Sequence, residues 1–256
     1  MKYKFVVLAL FLILAFSATS ASAVVTTGLD WAFFKNYNSP AWVWGVNGLI
    51  TMPIAQTMGK GRVAVSLSGI DCGTLQGKQM VFSTASLQVG TSSDVELGYT
   101  KKFLAWDWNR TDVEGEILHL KVKILDVAEN APKVSIGTIA FALTNKDNYS
   151  AKDMFFDVFA VVSQQIGIGR IHLGYEFGMV GQATSKPFLF AGTDIPIGPL
   201  LLIGEYVGSD KDGQGGVTNA GISYKLMGDN LIISAAAANL GQSTPSRYML
   251  QTSVLF

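Results

Sequence analysis

From Gly61 to Phe256 the chain breaks into segments of about ten residues, many alternating apolar and polar with period two, separated by clusters of Gly, Asp, Asn, Ser and Pro. In 94–103, Val95, Leu97 and Tyr99 share one face and Asp94, Glu96, Gly98 and Thr100 the other. In 116–124, Leu118, Leu120, Val122 and Ile124 alternate with His119, Lys121 and Lys123. In 170–179, Ile171, Leu173, Tyr175, Phe177 and Met179 alternate with Arg170, His172, Gly174, Glu176 and Gly178. In 218–226, Ala220, Ile222, Tyr224 and Leu226 alternate with Asn219, Gly221, Ser223 and Lys225. Successive side chains of a strand point to opposite faces, so this period selects strands.

Twelve such segments are expected, at 61–70, 80–90, 94–105, 115–125, 133–144, 154–166, 169–180, 186–195, 200–208, 216–227, 231–240 and 247–256. The sixth, eighth, ninth and eleventh alternate poorly, and the alanine run 235–238 leaves the facing of the eleventh open. Connections after odd segments are long and polar, whereas those after even segments are tight, as at 91–93, 167–168, 196–199 and 228–230; 126–132 is the exception. Alternating long and short connections is the habit of an up-and-down antiparallel barrel, with short periplasmic turns and longer external loops. An even strand count then puts both barrel ends on the periplasmic side.

The composition fits a sheet in lipid. The chain is 49% hydrophobic, only 15% charged, formally neutral, and carries 27 glycines in 256 residues. A secreted β-sandwich would carry charge on its outer face, and a nucleic-acid binder a basic excess. Phe188 to Val207, the best candidate for an apolar helix after the N-terminal region, is broken by Asp194, Glu205, two prolines and several glycines. A strand in hydrocarbon must pair all its backbone groups, so the sheet must close. The expected fold is therefore all-β, a membrane-spanning up-and-down antiparallel barrel of about twelve strands spanning 61–256. Tyr99, Phe103, Tyr175, Phe177, Tyr206, Tyr224 and Tyr248 have the parity to face lipid.

Residues 1–23 read as a cleaved secretory signal: Lys2 and Lys4, an apolar run from Val6 to Phe16, then Ala21-Ser22-Ala23. Cleavage after Ala23 and export to the outer membrane of a Gram-negative cell follow as expectations. Residues 24–60 hold Trp31, Phe33, Phe34, Tyr37, Trp42 and Trp44, and are expected to plug the lumen or lie at the periplasmic interface. The closing segment alternates Tyr248, Leu250, Thr252, Val254 and Phe256 with Met249, Gln251, Ser253 and Leu255. Ending on Phe256, it resembles the signal read by the barrel-assembly machinery. The expected partners are outer-membrane lipid and that machinery, with no nucleic acid.

The run Asn47-Gly48-Leu49-Ile50-Thr51-Met52-Pro53-Ile54-Ala55-Gln56, followed by Gly59-Lys60-Gly61-Arg62, resembles the opening of the YjbH-like outer-membrane proteins. That group commonly reads Gly-Leu, a few residues, then Pro-Thr-Ala; here Ile54 stands in place of the Thr. The hairpin Gly90 to Gly98 is similar to one in the same group. The resemblance implies a porin-like barrel associated with exopolysaccharide or capsule export, polysaccharide-export proteins as partners, and no catalytic residues.

Parity nominates Glu96, His119, Lys121, Lys123, Arg170, His172, Glu176, Glu205 and Lys225 as lumen-lining. Both signs are present, which suits either an ion-paired filling or a selective constriction. A lipid-modifying enzyme is the alternative, since some such barrels use Ser and His; neither histidine here has a serine two residues along its strand, so a catalytic pair would have to come from two strands. A third reading is a structural or adhesin-like barrel with an occluded lumen. The glycine run 213–216 precedes no helix, and no cofactor or metal pattern is present.

Overall fold

A computed structural model describes residues 48–50, 52–75, 78–107, 110–128, 131–145, 152–180, 183–184, 188–208, 216–226, 230–240 and 247–256. The proposed signal and residues 24–47 lie outside the described residues. Among the described residues every regular element is a strand: β1 (Val63–Leu75), β2 (Lys78–Gly90), β3 (Val95–Asp107), β4 (Arg110–Leu125), β5 (Lys133–Asn145), β6 (Lys152–Ile166), β7 (Gly169–Val180), β8 (Ala183–Thr184), β9 (Phe188–Ile197), β10 (Leu200–Val207), β11 (Val217–Leu226), β12 (Leu231–Leu240) and β13 (Arg247–Leu255).

All pairings are antiparallel, and the sheet closes. The order runs β6-β5-β4-β3-β2-β1-β13-β12-β11-β10-β9-β7, with β6 paired back to β7. The two-residue β8 pairs only with the end of β7. The wall is thus a closed barrel of twelve strands, the architecture expected from the period-two pattern. The first and last strands meet at the β1–β13 seam, where Phe256 and Val63 exchange backbone hydrogen bonds of 2.9 and 3.2 Å.

The pleat sorts the side chains as the alternation requires. Leu67, Leu173 and Leu250 are 61%, 58% and 66% exposed on the outside, while Glu96, Thr100 and Lys121 are fully buried on the inside. Tyr99, Tyr175, Tyr206, Tyr224, Tyr248 and Phe256 are also exposed outward. An apolar outer belt carrying aromatics is what a transmembrane barrel presents to lipid. No helix among the described residues is long and apolar enough to cross a membrane.

Two differences from expectation have local causes. The polar stretches 71–79 and 106–114, expected as loops, continue the hairpins: Leu75 pairs with Lys78 and Asp107 with Arg110. Antiparallel hairpins extend as long as backbone partners exist, whatever the side chains, and bulges near Asp71–Gly73 and Leu104–Asp107 absorb the mismatch. In β12 the register decides the facing that the alanines left open. Ser234 pairs with Ser223 and Gln251, which turns Ser234, Ala236 and Ala238 inward and Ile233 outward.

Candidate functional site

The lumen is occupied by the chain itself. Residues 48–50 and 52–58 lie inside the wall, with Leu49 1% exposed and Ile50 and Ala55 at 0%. The segment reverses on a tight turn: the Leu49 N–H donates to the Met52 carbonyl at 2.8 Å, and Gly48 bridges antiparallel to Pro53. From Pro53 it descends toward the end carrying the short turns, where Gly59-Lys60-Gly61 leads into β1. Gly59 and Gly61 have φ of 84° and 76°, a left-handed conformation that glycine adopts without strain.

Wall side chains supply partners for this segment's backbone. The Ile50 N–H donates to Glu205 Oε2 at 3.0 Å, and the Met58 N–H to Glu96 Oε2 at 3.0 Å. Ala55 is held at both ends of its polar backbone. Its N–H donates to Ser163 Oγ at 2.9 Å, and its carbonyl accepts from Ser135 Oγ at 2.5 Å. A buried backbone donor without a partner costs about 1–3 kcal/mol, and charged acceptors make stronger bonds than neutral ones. Those groups therefore hold the segment in place.

Apolar packing completes the fit. Met52 and Ala55 sit in a cluster with Ile117, Ile139, Phe141, Phe159, Val161, Phe190 and Val207. Leu49, Ile50 and Ile54 pack with Ile70, Ile203, Ala236, Ala238 and Met249. This explains the poor alternation of β6 and β10: besides Ser163 and Glu205, their inward faces carry Phe159, Val161, Ile203 and Val207, which form a core around the inserted segment. Leu49 needs a glycine beneath it, since a Cβ on Gly192 would stand 2.2 Å from Leu49 Cδ1.

The charged lumen residues fall into separate groups. Glu96, His119 and Lys121 come together on β3 and β4, with His119 Nε2 and Lys121 Nζ each 3.3 Å from the Glu96 carboxylate. The His119 ring lies over Gly98, where a Cβ would be 1.9 Å from His119 Cε1. Glu205 accepts from Asn219 Nδ2 at 2.6 Å besides Ile50. Arg170 grips Asp194 with two donors, its Nε at 2.8 Å from Oδ1 and its second nitrogen on Oδ2.

His172 joins that pair to the inserted segment. Its Nδ1 lies 2.7 Å from Ser163 Oγ, and its Nε2 lies 3.6 Å from Asp194 Oδ2. Ser163 Oγ accepts from the Ala55 N–H and keeps both a proton and a second lone pair for His172 Nδ1, so the direction of that bond follows the ring tautomer. The three side chains superficially form a Ser–His–Asp row. Yet 3.6 Å is too long for a hydrogen bond, the Ser163 oxygen is engaged by Ala55, and all three groups are buried. In this arrangement Ser163 holds the Ala55 N–H.

The remaining candidates lie apart. Lys123 is at the short-turn end, 2.5 Å from Asp126 and 3.8 Å from Asp94. There the Lys123 hydrogen bond, aided by Lys133, holds the Asp126 carboxyl below its ordinary range. Lys225 is exposed near the same end. Glu176 pairs with Phe159 across β6–β7. Sequence reasoning missed Lys102, Ser135, Asp157, Ser163, Asp194 and Asn219. Lys102 shares parity with Glu96 and could have been found; it is buried, 5.1 Å from the ring centroids of both Phe82 and Phe141. Ser163 and Asp194 lie in strands with apolar residues on both faces, so parity carried little signal there.

The other side of the lumen carries a run of uncharged polar residues. A cross-strand row Ser223–Ser234–Gln251–Ser68–Thr84 runs from β11 to β2, ending at Lys102 on β3. Hydroxyls pair along it, Ser223 with Ser234 at 2.8 Å and Ser68 with Thr84 at 2.5 Å. The Glu96–Lys121, Arg170–Asp194 and Glu205 groups lie on β3–β10, the side to which the segment is hydrogen-bonded.

No protein-family model matches the chain, and no characterised protein matches it by sequence. Among solved structures, the KdgM porin superposes with a TM-score of 0.56 at 11% identity, over 75% of this chain and 99% of that one. The KdgM porin in complex with disordered oligogalacturonate gives 0.57 with the same identity and coverage. A Salmonella typhi outer membrane phospholipase dimer with bound calcium gives 0.49 at 12% identity, over 75% and 90%. The likeness is one of fold. It is that of a closed antiparallel barrel of the outer-membrane type.

Proposed function

We propose that this chain is a narrow outer-membrane pore of a Gram-negative bacterium, closed from its periplasmic mouth by residues 48–58. The observation that carries this reading is the inserted segment, whose backbone is bound by Glu96, Ser135, Ser163 and Glu205. Placing the short turns in the periplasm follows the general habit of such barrels, and the exposed apolar belt supports insertion in lipid. Burying each aliphatic side chain contributes about 1.5–3 kcal/mol, while ordering each residue costs about 1–2 kcal/mol. These terms nearly cancel for a segment of mixed residues, so the wall hydrogen bonds decide whether it stays. Such a closure is displaceable.

The resemblance to YjbH-like proteins supports a role in exopolysaccharide export. The residues that carry the resemblance, 47–56, are largely those inserted in the lumen, so it falls on the element that closes the pore.

Planar-bilayer recording tests the reading. Wild-type protein is expected to be silent or to open rarely. Deletion of 24–58, or the full-length Gly192→Val variant that pushes Leu49 from its seat, is expected to conduct steadily. Folded variants that remain silent would overturn the pore reading and leave the occluded structural barrel. A serine-directed fluorophosphonate is expected to leave Ser163 unlabelled; labelling would revive the enzyme alternative.

A further inference from the structure

We propose that the lumen is a peptide-binding site, now filled by its own chain, whose ligand class is an uncharged aliphatic polypeptide supplied in trans. The proposal rests on the closed-pore reading and adds what the opened lumen takes.

The chemistry of the contacts supports it. Four polar contacts of the wall with the segment go to backbone atoms: Glu205 to Ile50 N–H, Ser163 and Ser135 to the two polar atoms of Ala55, Glu96 to Met58 N–H; beside them the Thr57 hydroxyl donates to the Ser93 carbonyl. Backbone groups are common to every polypeptide, so these bonds recognise a peptide rather than one sequence. Side-chain selection is left to shape. Leu49 occupies the space above Gly192, and Ile50 Cδ1 comes within 3.0 Å of where a Cβ on Gly221 would stand. Met52 and Ala55 fill an aromatic and aliphatic pocket that includes Phe159 and Phe190. A charged side chain in these seats would be desolvated without a partner, which excludes charged peptides. Residues 52–58 contain no Asp, Glu, Lys or Arg, in agreement.

The hold on Ala55 is also prepared from behind. Arg170 fixes Asp194, which faces His172, and the 2.7 Å bond between His172 Nδ1 and Ser163 Oγ holds the hydroxyl oxygen where it accepts the segment's N–H. Ser163 and His172 act as positioning residues for a peptide, not as a nucleophile and base.

A fluorescently labelled peptide of sequence 47–58 provides the test, added to full-length barrels in detergent. Two loosened variants serve, Gly192→Val in the wall and Ala55→Asp in the segment; heat-shifted gel mobility shows that each is folded. The peptide should bind Ala55→Asp saturably, at least tenfold tighter than wild type, whose site is occupied. A scrambled peptide with two added lysines should not compete. Adding Ser163→Val to the Ala55→Asp variant should weaken binding about tenfold or more. In bilayers, the peptide should block the conductance of Ala55→Asp. Equal binding by wild type and both variants, or equal binding of the scrambled peptide, overturns the proposal. So does a loosened barrel that dimerises without added peptide, because the occupant is then a second copy. If the loosened barrels never conduct but still bind peptide, the pore reading falls and the binding site stands; if they conduct and the peptide does not block, the binding site falls alone.

Discussion

Glu205 and Gly192 show how single residues set the state of the lumen. The Glu205 carboxylate serves both the Ile50 N–H and Asn219, and its removal takes the acceptor from the buried Ile50 N–H. Glu205→Ala is expected to cost about 1–3 kcal/mol for that donor, seen as a lower temperature for the heat shift on gels and as more frequent channel opening. Glu205→Gln keeps an acceptor oxygen and should lose much less. Lys123 and Asp126 give a separate test at the barrel rim. The Lys123 hydrogen bond depresses the Asp126 carboxyl, so the tie to the 126–132 connection is present above the unfolded value near ~3.9 and lost as pH falls through the lower folded value. In NMR titration Asp126 should titrate below that ordinary value, and Lys123→Ala should move it upward.

At the scale of elements, the inserted segment and the strands around it form one unit. The amides of Ile50 and Ala55 are buried and bonded to wall side chains. Hydrogen–deuterium exchange should find them protected, and Ser163→Ala should raise exchange at Ala55 about tenfold while leaving β1 and β13 unchanged. Uniform loosening of the whole barrel by that substitution would contradict a local clasp. The same unit explains which strands were easy to read. β3, β4 and β7 alternate cleanly because their outer faces meet an apolar surrounding and their inner faces carry charge or glycine. β6 and β10 do not, because Phe159, Val161, Ile203 and Val207 point inward against the inserted segment. Parity therefore found Glu96 and His172 but not Ser163.

The whole molecule should behave as a transmembrane barrel. Unboiled protein in detergent is expected to migrate anomalously and shift on heating, with a β-rich circular dichroism spectrum; a helical spectrum would contradict the closed sheet. Strand number, closure and the facing of the cleanly alternating strands were legible in the chain because a lipid-facing sheet keeps one rule: apolar out and backbone paired. The extent of the β1–β2 and β3–β4 hairpins was not, since backbone pairing continues past the apolar belt without a side-chain signal. The neutral formal charge was consistent with paired lumen groups but could not say which acid met which base. That depended on register across strands distant in sequence, as with Arg170 and Asp194. Nor could the sequence alone decide that residues 48–58 enter the lumen rather than rest at its mouth. Local pattern determines a barrel, because each strand obeys lipid and pleat independently. What fills the barrel is decided only when twelve strands close and bring their inward side chains against one segment.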